Sequence, residues 1–156
     1  MPELPDAVTT ERLVDIHVDL EPAQKIGVTP AGARSIFIIA GGTFDGPHLR
    51  GTVHPGGGDW FVMRPDGAGE LDVRMTLETD DGALIYLKYT GVLDVDPAVM
   101  ARVFRSEDVP ASEYYFRTQP RFETGSEKYV WLNKTVCVGS GIVAPGRVAY
   151  RIFAVK

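Results

Sequence analysis

Charged side chains that could move protons alternate with apolar ones along residues 70 to 79. In the strand that this alternation predicts, the even-numbered residues are polar and share one face, and the apolar residues share the other. A carboxylate can accept and return a proton while a nearby guanidinium stabilises negative charge on an oxygen. We therefore predict that Asp72 and Arg74 pair inside the fold as catalytic residues. The alternative is that this polar face is solvated, as in most antiparallel sheets.

A second group of charged and aromatic residues lies between residues 112 and 124. Tyr115 and Arg117 share one strand face, and Phe122 and Glu123 follow Pro120. Charges among aromatic side chains need partners and often have shifted pKa values. The pattern predicts Arg117 and Glu123 as catalytic residues, with Tyr115 and Phe122 contacting the substrate. The alternative is an aromatic core with a structural bridge from Arg117 to Glu123.

The stretch VHPGGGDWFVMRPDG, residues 53 to 67, is compatible with a metal loop, a phosphate-binding loop or a turn between strands. The chain has three histidines, and nothing after His54 supplies another imidazole for a metal. No Lys-Ser/Thr pair and no helix follow the glycines, as phosphate binding would require. The stretch is therefore interpreted as a turn and strand at the mouth of the fold, with Trp60 and Arg64 facing a ligand. No metal and no cofactor are predicted.

Composition predicts one globular domain over residues 1 to 156. Hydrophobic residues make up 44% of the chain and charged residues 24%, which suffices for a sizeable core. The formal net charge is -5 and the basic residues form no run, so nucleic acid is not an expected partner. Cys137 is the single cysteine and lies in an apolar context, as a buried thiol would. With no leader pattern and no apolar run long enough to span a membrane, a cytoplasmic protein without a membrane partner is expected.

Short apolar runs bounded by Gly, Pro and Asp predict an antiparallel all-β fold. The predicted strands cover residues 12–20, 34–44, 48–54, 60–64, 112–124, 134–143 and the chain end from 146, together with a hairpin at 69–92. Asp80-Asp81-Gly82 supplies the hairpin turn, because Asp-Gly tolerates positive φ angles. One short helix is predicted at 96–108, where Asp96 can cap and Pro97 can begin it, and a turn of helix at 125–133. A single antiparallel β-barrel of about eight to ten strands with one short helix fits this pattern.

Three motifs, GTVHPGGGDW with RPDG, ELDVRMTLETDDGALIY and YYFRTQPRFETGSEKYVWLN, together resemble domain of unknown function 3237. The resemblance runs from about residue 12 to the C-terminus. It implies a β-barrel of the allene oxide cyclase and lipocalin-like group and no settled activity. The positions that match the family pattern are Asp59, Trp60, Arg64, Asp72, Arg74, Arg117, Phe122, Glu123, Trp131 and Asn133.

The expected function is binding of a small molecule in the barrel, with cofactor-free isomerisation, cyclisation or elimination of an apolar oxygenated substrate. Asp72, Arg74, Arg117 and Glu123 are the predicted catalytic residues. The predicted substrate contacts are Trp60, Arg64, Tyr115, Phe122, Trp131 and Asn133. Two alternatives stay open: a carrier or sensor of a hydrophobic molecule, and a structural barrel whose interior is filled by side chains. A homodimer is compatible with each of them.

Overall fold

The computed structural model describes Met1 and Glu3–Lys156. Over these residues the chain forms ten β-strands and one α-helix, with 3₁₀ segments at Ala111–Glu113 and Glu127–Lys134. The elements are β1 (Thr10–Leu20), β2 (Gln24–Thr29), β3 (Gly32–Asp45), β4 (Arg50–Val53), β5 (Gly58–Met63), β6 (Gly69–Thr79), β7 (Leu84–Asp94), α1 (Pro97–Phe104), β8 (Tyr115–Glu123), β9 (Cys137–Ala144) and β10 (Arg147–Val155).

In this described part of the chain, eight strands close into an antiparallel barrel, and two further strands extend it. The ring runs β1-β10-β9-β8-β7-β6-β4-β3, and β3 pairs back onto β1. Strand β5 also bridges β3 and β6, whereas β2 pairs with β3 at the edge of the sheet. Closure leaves few strand edges unpaired, which protects long strands from aggregation. The predicted all-β antiparallel barrel is therefore confirmed.

The two-residue period of the strands separates an apolar interior from a polar exterior. On β6 the apolar side chains Leu71, Val73, Met75 and Leu77 are buried, and the alternating polar side chains are half-buried on the outer face. Strands β1, β7, β8 and β10 supply the same kind of buried row, including Ile16, Leu87, Phe116 and Ile152. Burial of these side chains drives folding, because each contributes roughly 1.5–3 kcal/mol.

The turn between β6 and β7 has the predicted chemistry. Gly82 adopts φ +84°, and the Thr79 amide and hydroxyl groups hydrogen-bond to Ala83 across the turn. The Asp81 carboxylate also accepts a hydrogen bond from the Tyr129 hydroxyl at 3.1 Å. The turn therefore fixes the β6–β7 register and ties the second 3₁₀ segment to that end of the barrel.

Strand β2 is absent from the sequence prediction. Its residues are largely exposed on both faces, so its sequence shows no alternation of apolar and polar positions. A bulge lies between Lys25 and Gly27, where Gly27 has φ +101°. The strand forms because it pairs with β3, a non-local interaction that periodicity cannot reveal.

The predicted helix at 96–108 is confirmed in position but shorter, since α1 ends at Phe104. Asp96 caps it by accepting a hydrogen bond from the Ala98 amide at 2.7 Å. Among the described helices, none combines the length and hydropathy that crossing a lipid bilayer requires.

Candidate functional site

A cavity of about 490 Å³ lies inside the barrel. Its lining is dominated by aromatic, methionine and branched aliphatic side chains, among them Phe37, Phe61, Met63, Met75, Met100 and Phe116. Ligand pockets usually measure about 300 to 1,000 Å³ and have apolar walls with a few polar groups. The cavity volume argues against the alternative of a barrel filled solid by side chains.

Asp59 is an acid in this apolar lining. It lies on β5, where alternation points it inward with Phe61 and Met63. Burial raises the pKa of the Asp59 carboxyl group to about 7, because a low-dielectric surrounding disfavours the charged form. The Asp72 carboxylate adds to this increase by repulsion. The Asp72 amide, which donates to Asp59 Oδ1 at 3.0 Å, and the positive charge of Arg34 oppose it.

Two buried tyrosines, Tyr89 on β7 and Tyr150 on β10, also line the cavity. Their ring centroids lie 5.1 Å apart in an edge-to-face arrangement. Burial raises the pKa of both phenols well above the ordinary range, and the charge of Asp59 raises the pKa of both further. Asp59, Tyr89 and Tyr150 therefore form one electrostatically linked group, which we call the lumenal triad.

The lumenal triad can carry out acid–base chemistry without any additional group. A carboxyl group with a pKa of about 7 is present in both protonation states at neutral pH, which is the best condition for proton transfer. The two phenols stay protonated and can donate hydrogen bonds to an oxygen that gains negative charge. The apolar walls lower the local dielectric constant, which strengthens both effects.

The rim of the cavity combines charged residues with helix α1. Glu21 and Arg147 line this region, and Arg147 Nε donates to Asp19 Oδ1 at 2.6 Å. From the helix, Met100 and Phe104 contribute to the lining. Polar atoms of a ligand can thus reach solvent and charge at the rim while its apolar part occupies the cavity.

Asp72 and Arg74 do form the predicted ion pair, but on the outside of the barrel. Arg74 Nη1 lies 3.2 Å from Asp72 Oδ1, and both side chains are partly exposed. The predicted position inside the barrel is wrong, because the apolar face of β6 faces the interior and the polar face turns outward. The alternative of a solvated polar face describes this strand.

The predicted charged residues of β8 are also on the outer face. Arg117 Nη1 donates to Ser140 Oγ at 3.1 Å and to the Phe116 carbonyl oxygen at 2.9 Å. Glu123 is six residues further along the same strand, roughly 20 Å away at the usual rise per residue. The alternative of a structural bridge between Arg117 and Glu123 is therefore wrong, since two residues of one strand at that distance cannot touch.

The predicted ligand-contacting residues are spread over several regions. Trp60 and Tyr115 are on the outer face, where each ring packs against an arginine: Arg74 lies 5.4 Å from the Trp60 ring and Arg117 lies 5.1 Å from the Tyr115 ring. Phe122 is buried in the core.

The remaining predicted contacts have structural partners. Arg64 forms ion pairs with Asp66 and Glu70 around the turn between β5 and β6. Asn133 binds the Thr124 amide and carbonyl groups through its side-chain amide. Trp131 packs edge-on against His48. These positions lie outside the lumenal triad.

The lumenal residues Asp59, Tyr89 and Tyr150 were not among the predicted catalytic residues. The sequence does carry one signal for them: Asp59 alternates with Phe61 and Met63 and so stands on an otherwise apolar strand face. Tyr89 and Tyr150 give no such signal, because buried aromatic residues usually belong to the core. Their proximity depends on barrel closure.

Fold and cavity together define a closed antiparallel β-barrel with an acid and two phenols in an apolar lumen. A family model described as "Protein of unknown function (DUF3237)" matches residues 8–155, and the chain belongs to this family. The resemblance that the three sequence motifs indicated is thereby confirmed.

Relatives share both sequence and fold. The UPF0311 protein RPA1785 of Rhodopseudomonas palustris is 36% identical over 137 residues, which cover 88% of each chain. Its crystal structure has a TM-score of 0.91, covering 97% of this chain and 100% of the other. A β-barrel-like protein from Acinetobacter baumannii has a TM-score of 0.86 at 38% identity, covering 99% and 100% of the two chains. An enzyme from Penicillium herquei has a TM-score of 0.73 at 22% identity over the full length of both chains, a likeness of fold alone.

Proposed function

We propose that the barrel catalyses proton transfer on an apolar oxygenated substrate bound in the lumen. Isomerisation, cyclisation and elimination are the reaction types that such a transfer supports. The observation that carries the proposal is the position of Asp59, an acid with a pKa of about 7, among apolar walls and beside two phenols. Isolated carboxylates are costly to bury, so such a residue is a candidate for function.

The acid and the two phenols of the lumenal triad have different roles. Asp59 removes a proton from carbon or oxygen in its ionised form and returns a proton in its neutral form. Tyr89 and Tyr150 hold the substrate oxygen and stabilise its negative charge by donating hydrogen bonds. The aromatic and methionine side chains orient the apolar part of the substrate through packing.

An elimination probe tests this chemistry without knowledge of the natural substrate. In 5-nitrobenzisoxazole, a base removes the ring C–H proton, the electron pair forms a nitrile, and the N–O bond breaks to release a phenolate. Asp59 would take the proton and the tyrosines would stabilise the phenolate. We expect turnover to rise with pH through an inflection near 7.

The variant Asp59→Asn should lose this turnover at every pH while it keeps the fold. Asp72→Asn is the matched control, because Asp72 is also an acid but lies on the outer face. We expect Asp72→Asn to retain turnover. Equal loss in both variants, or full activity in Asp59→Asn, would refute the role of Asp59.

The alternative function is a carrier or sensor of a hydrophobic molecule. The predominantly apolar lining favours this alternative, because it would hold a ligand without reacting with it. A carrier predicts saturable binding of the probe with no turnover above that of buffer. The same experiment therefore separates the two functions.

A further inference from the structure

We infer that the outside of the barrel carries a second binding site, which takes a planar organic anion such as an aromatic carboxylate or phosphate ester. The site is an open groove of about 1000 Å³ across the outer faces of β5 to β10. Its walls include Trp60, Lys88, Tyr115, Arg117, Gln119 and Ser140. This outer groove is separate from the lumen and does not depend on the proposed catalytic function.

The groove has a structural origin in inward-facing glycines beneath it. A Cβ atom on Gly139 would lie 2.2 Å from Thr118 Oγ1, and one on Gly91 would lie 2.7 Å from the Arg117 carbonyl oxygen. Both distances are shorter than real side chains allow, so glycine lets these strands approach more closely than other residues would. Gly91, Thr118 and Gly139 all line the groove, and the close approach forms its floor.

Basic residues line the groove together with two acids that already have partners. The basic residues are Arg34, Lys88 and Arg117, and the acids are Glu70, which pairs with Arg64, and Asp72, which pairs with Arg74. Of the lining residues, Lys88 has two cationic cross-strand neighbours, Arg74 on β6 and Arg121 on β8, although neither arginine lines the groove itself. Like charges directly opposite each other destabilise a sheet. In the part of the chain that the structure describes, neither Lys88 nor Arg121 forms an ion pair. An anion in the groove would offset this repulsion.

Arg117 has the geometry to bind that anion. Its guanidinium group is held by the Phe116 carbonyl oxygen and by Ser140 Oγ, both of which are neutral acceptors. The group is thus oriented while its charge is not neutralised by these contacts. Guanidinium forks bind carboxylate and phosphate oxygens through paired hydrogen bonds, and the hydroxyl and amide groups of Ser140 and Gln119 add further donors.

Two exposed aromatic rings indicate that the ligand has a planar part. The Trp60 side chain is 38% exposed and that of Tyr115 is 53% exposed, although both are large and partly apolar. Each ring already packs against an arginine, so the groove presents stacked cation and aromatic surfaces. A conjugated ring that carries an anionic group matches both kinds of surface.

The indole N–H resonance of Trp60 gives a site-specific test. The chain has two tryptophans, so Trp131→Phe leaves Trp60 as the single indole signal in a 15N–1H spectrum. We expect phenyl phosphate to shift this signal saturably, while phenol, its neutral counterpart, and inorganic phosphate, which has no ring, shift it far less. In the same background, Lys88→Gln and Arg117→Gln should each weaken phenyl phosphate binding about fivefold to tenfold.

Controls separate this site from general effects of charge and from the lumen. Arg50→Gln removes an exposed cation of β4 that pairs with Asp45 of β3 and does not line the groove. This variant should leave phenyl phosphate binding unchanged. Asp59→Asn should also leave it unchanged, so failure of the catalytic proposal and failure of this one are distinguishable. Lys88 is exposed, which makes Lys88→Gln informative even if Arg117→Gln disturbs the fold.

Three results would overturn the inference. A missing shift with phenyl phosphate would exclude the site. An equal shift with phenol or with inorganic phosphate would exclude a ligand defined by both ring and charge. The third result combines two observations: the Trp60 signal does not respond to phenyl phosphate, and sedimentation shows a dimer that Trp60→Ala dissociates. It would identify the groove as a contact between two copies of the chain.

Discussion

At the scale of single residues, the structure gives opposite settings to two acids that are close in sequence. Asp59 faces the apolar lumen, and burial raises the pKa of its carboxyl group to about 7. Asp72 faces outward, where Arg74 pairs with it at 3.2 Å. The Asp72 amide nevertheless donates to Asp59 Oδ1, so the backbone of β6 links the two acids. The proposed acid–base role of Asp59 therefore depends on which side of the sheet this acid faces.

A buried threonine offers a prediction at the same scale. Thr118 is 3% exposed, and its hydroxyl group has no hydrogen-bond partner among the residues described. A buried polar group without a partner costs about 1–3 kcal/mol. We therefore expect Thr118→Val, which replaces the hydroxyl by a methyl group, to raise the free energy of unfolding by about 1 kcal/mol in urea titrations.

Thr124 provides the matched control for that substitution. It is similarly buried, but its hydroxyl donates to the Leu84 carbonyl oxygen at 2.7 Å and accepts from the Ser126 amide at 3.1 Å. Thr124→Val should therefore lower the free energy of unfolding by about 1–3 kcal/mol. If both variants changed stability in the same direction, the distinction between satisfied and unsatisfied hydroxyls would be wrong.

At the scale of elements, the glycine triplet that leads into β5, residues 56 to 58, determines how that strand enters the barrel. Gly56 has φ +97° with open space around its missing side chain. By contrast, a Cβ atom on Gly57 would lie 2.4 Å from the Arg74 carbonyl oxygen of the neighbouring β6 strand. The triplet thus combines a turn with a close backbone approach, and this approach places the following Asp59 against β6.

The two glycines should respond differently to alanine. We expect Gly56→Ala to cost about 1 kcal/mol through backbone strain alone. Gly57→Ala should cost more than about 2 kcal/mol, because backbone atoms of two strands must move apart. Thermal unfolding of both variants checks the order, and equal losses would contradict the close approach at Gly57.

Much of this element structure is predictable from local patterns. The β6–β7 hairpin follows from alternation and from Asp80-Asp81-Gly82, and the start of α1 follows from Asp96 and Pro97. Strand β2 and the lumenal triad are not predictable in this way, since both depend on contacts between distant parts of the chain. Alternation predicts that the two faces of β6 differ, but only barrel closure decides which face is inside.

At the scale of the whole molecule, the lumenal acid Asp59 should couple stability to pH. The pKa of Asp59 is raised on folding, so the folded state binds its proton more tightly than the unfolded state does. Its contribution to stability is fully present below the ordinary pKa of 3.8 and is lost as pH rises toward about 7. Above that pH the loss is complete and constant.

Asp59→Asn removes this loss. We therefore expect the stability of the variant, relative to the natural sequence, to increase by roughly 2 kcal/mol between pH 5 and pH 8. Urea unfolding at both pH values measures the difference, and Asp72→Asn should lack this increase. A difference that is independent of pH would show that Asp59 is already ionised in the folded protein at pH 5.

Titration of the Asp59 carboxyl carbon by 13C NMR, with Asp59→Asn to assign its signal, tests the proposed acid–base site without any substrate. An acid held in an apolar lumen for proton transfer should titrate with a midpoint near 7. A midpoint near the ordinary aspartate value of 3.8 would mean that water or cations solvate the carboxylate, and it would contradict the proposed acid–base site.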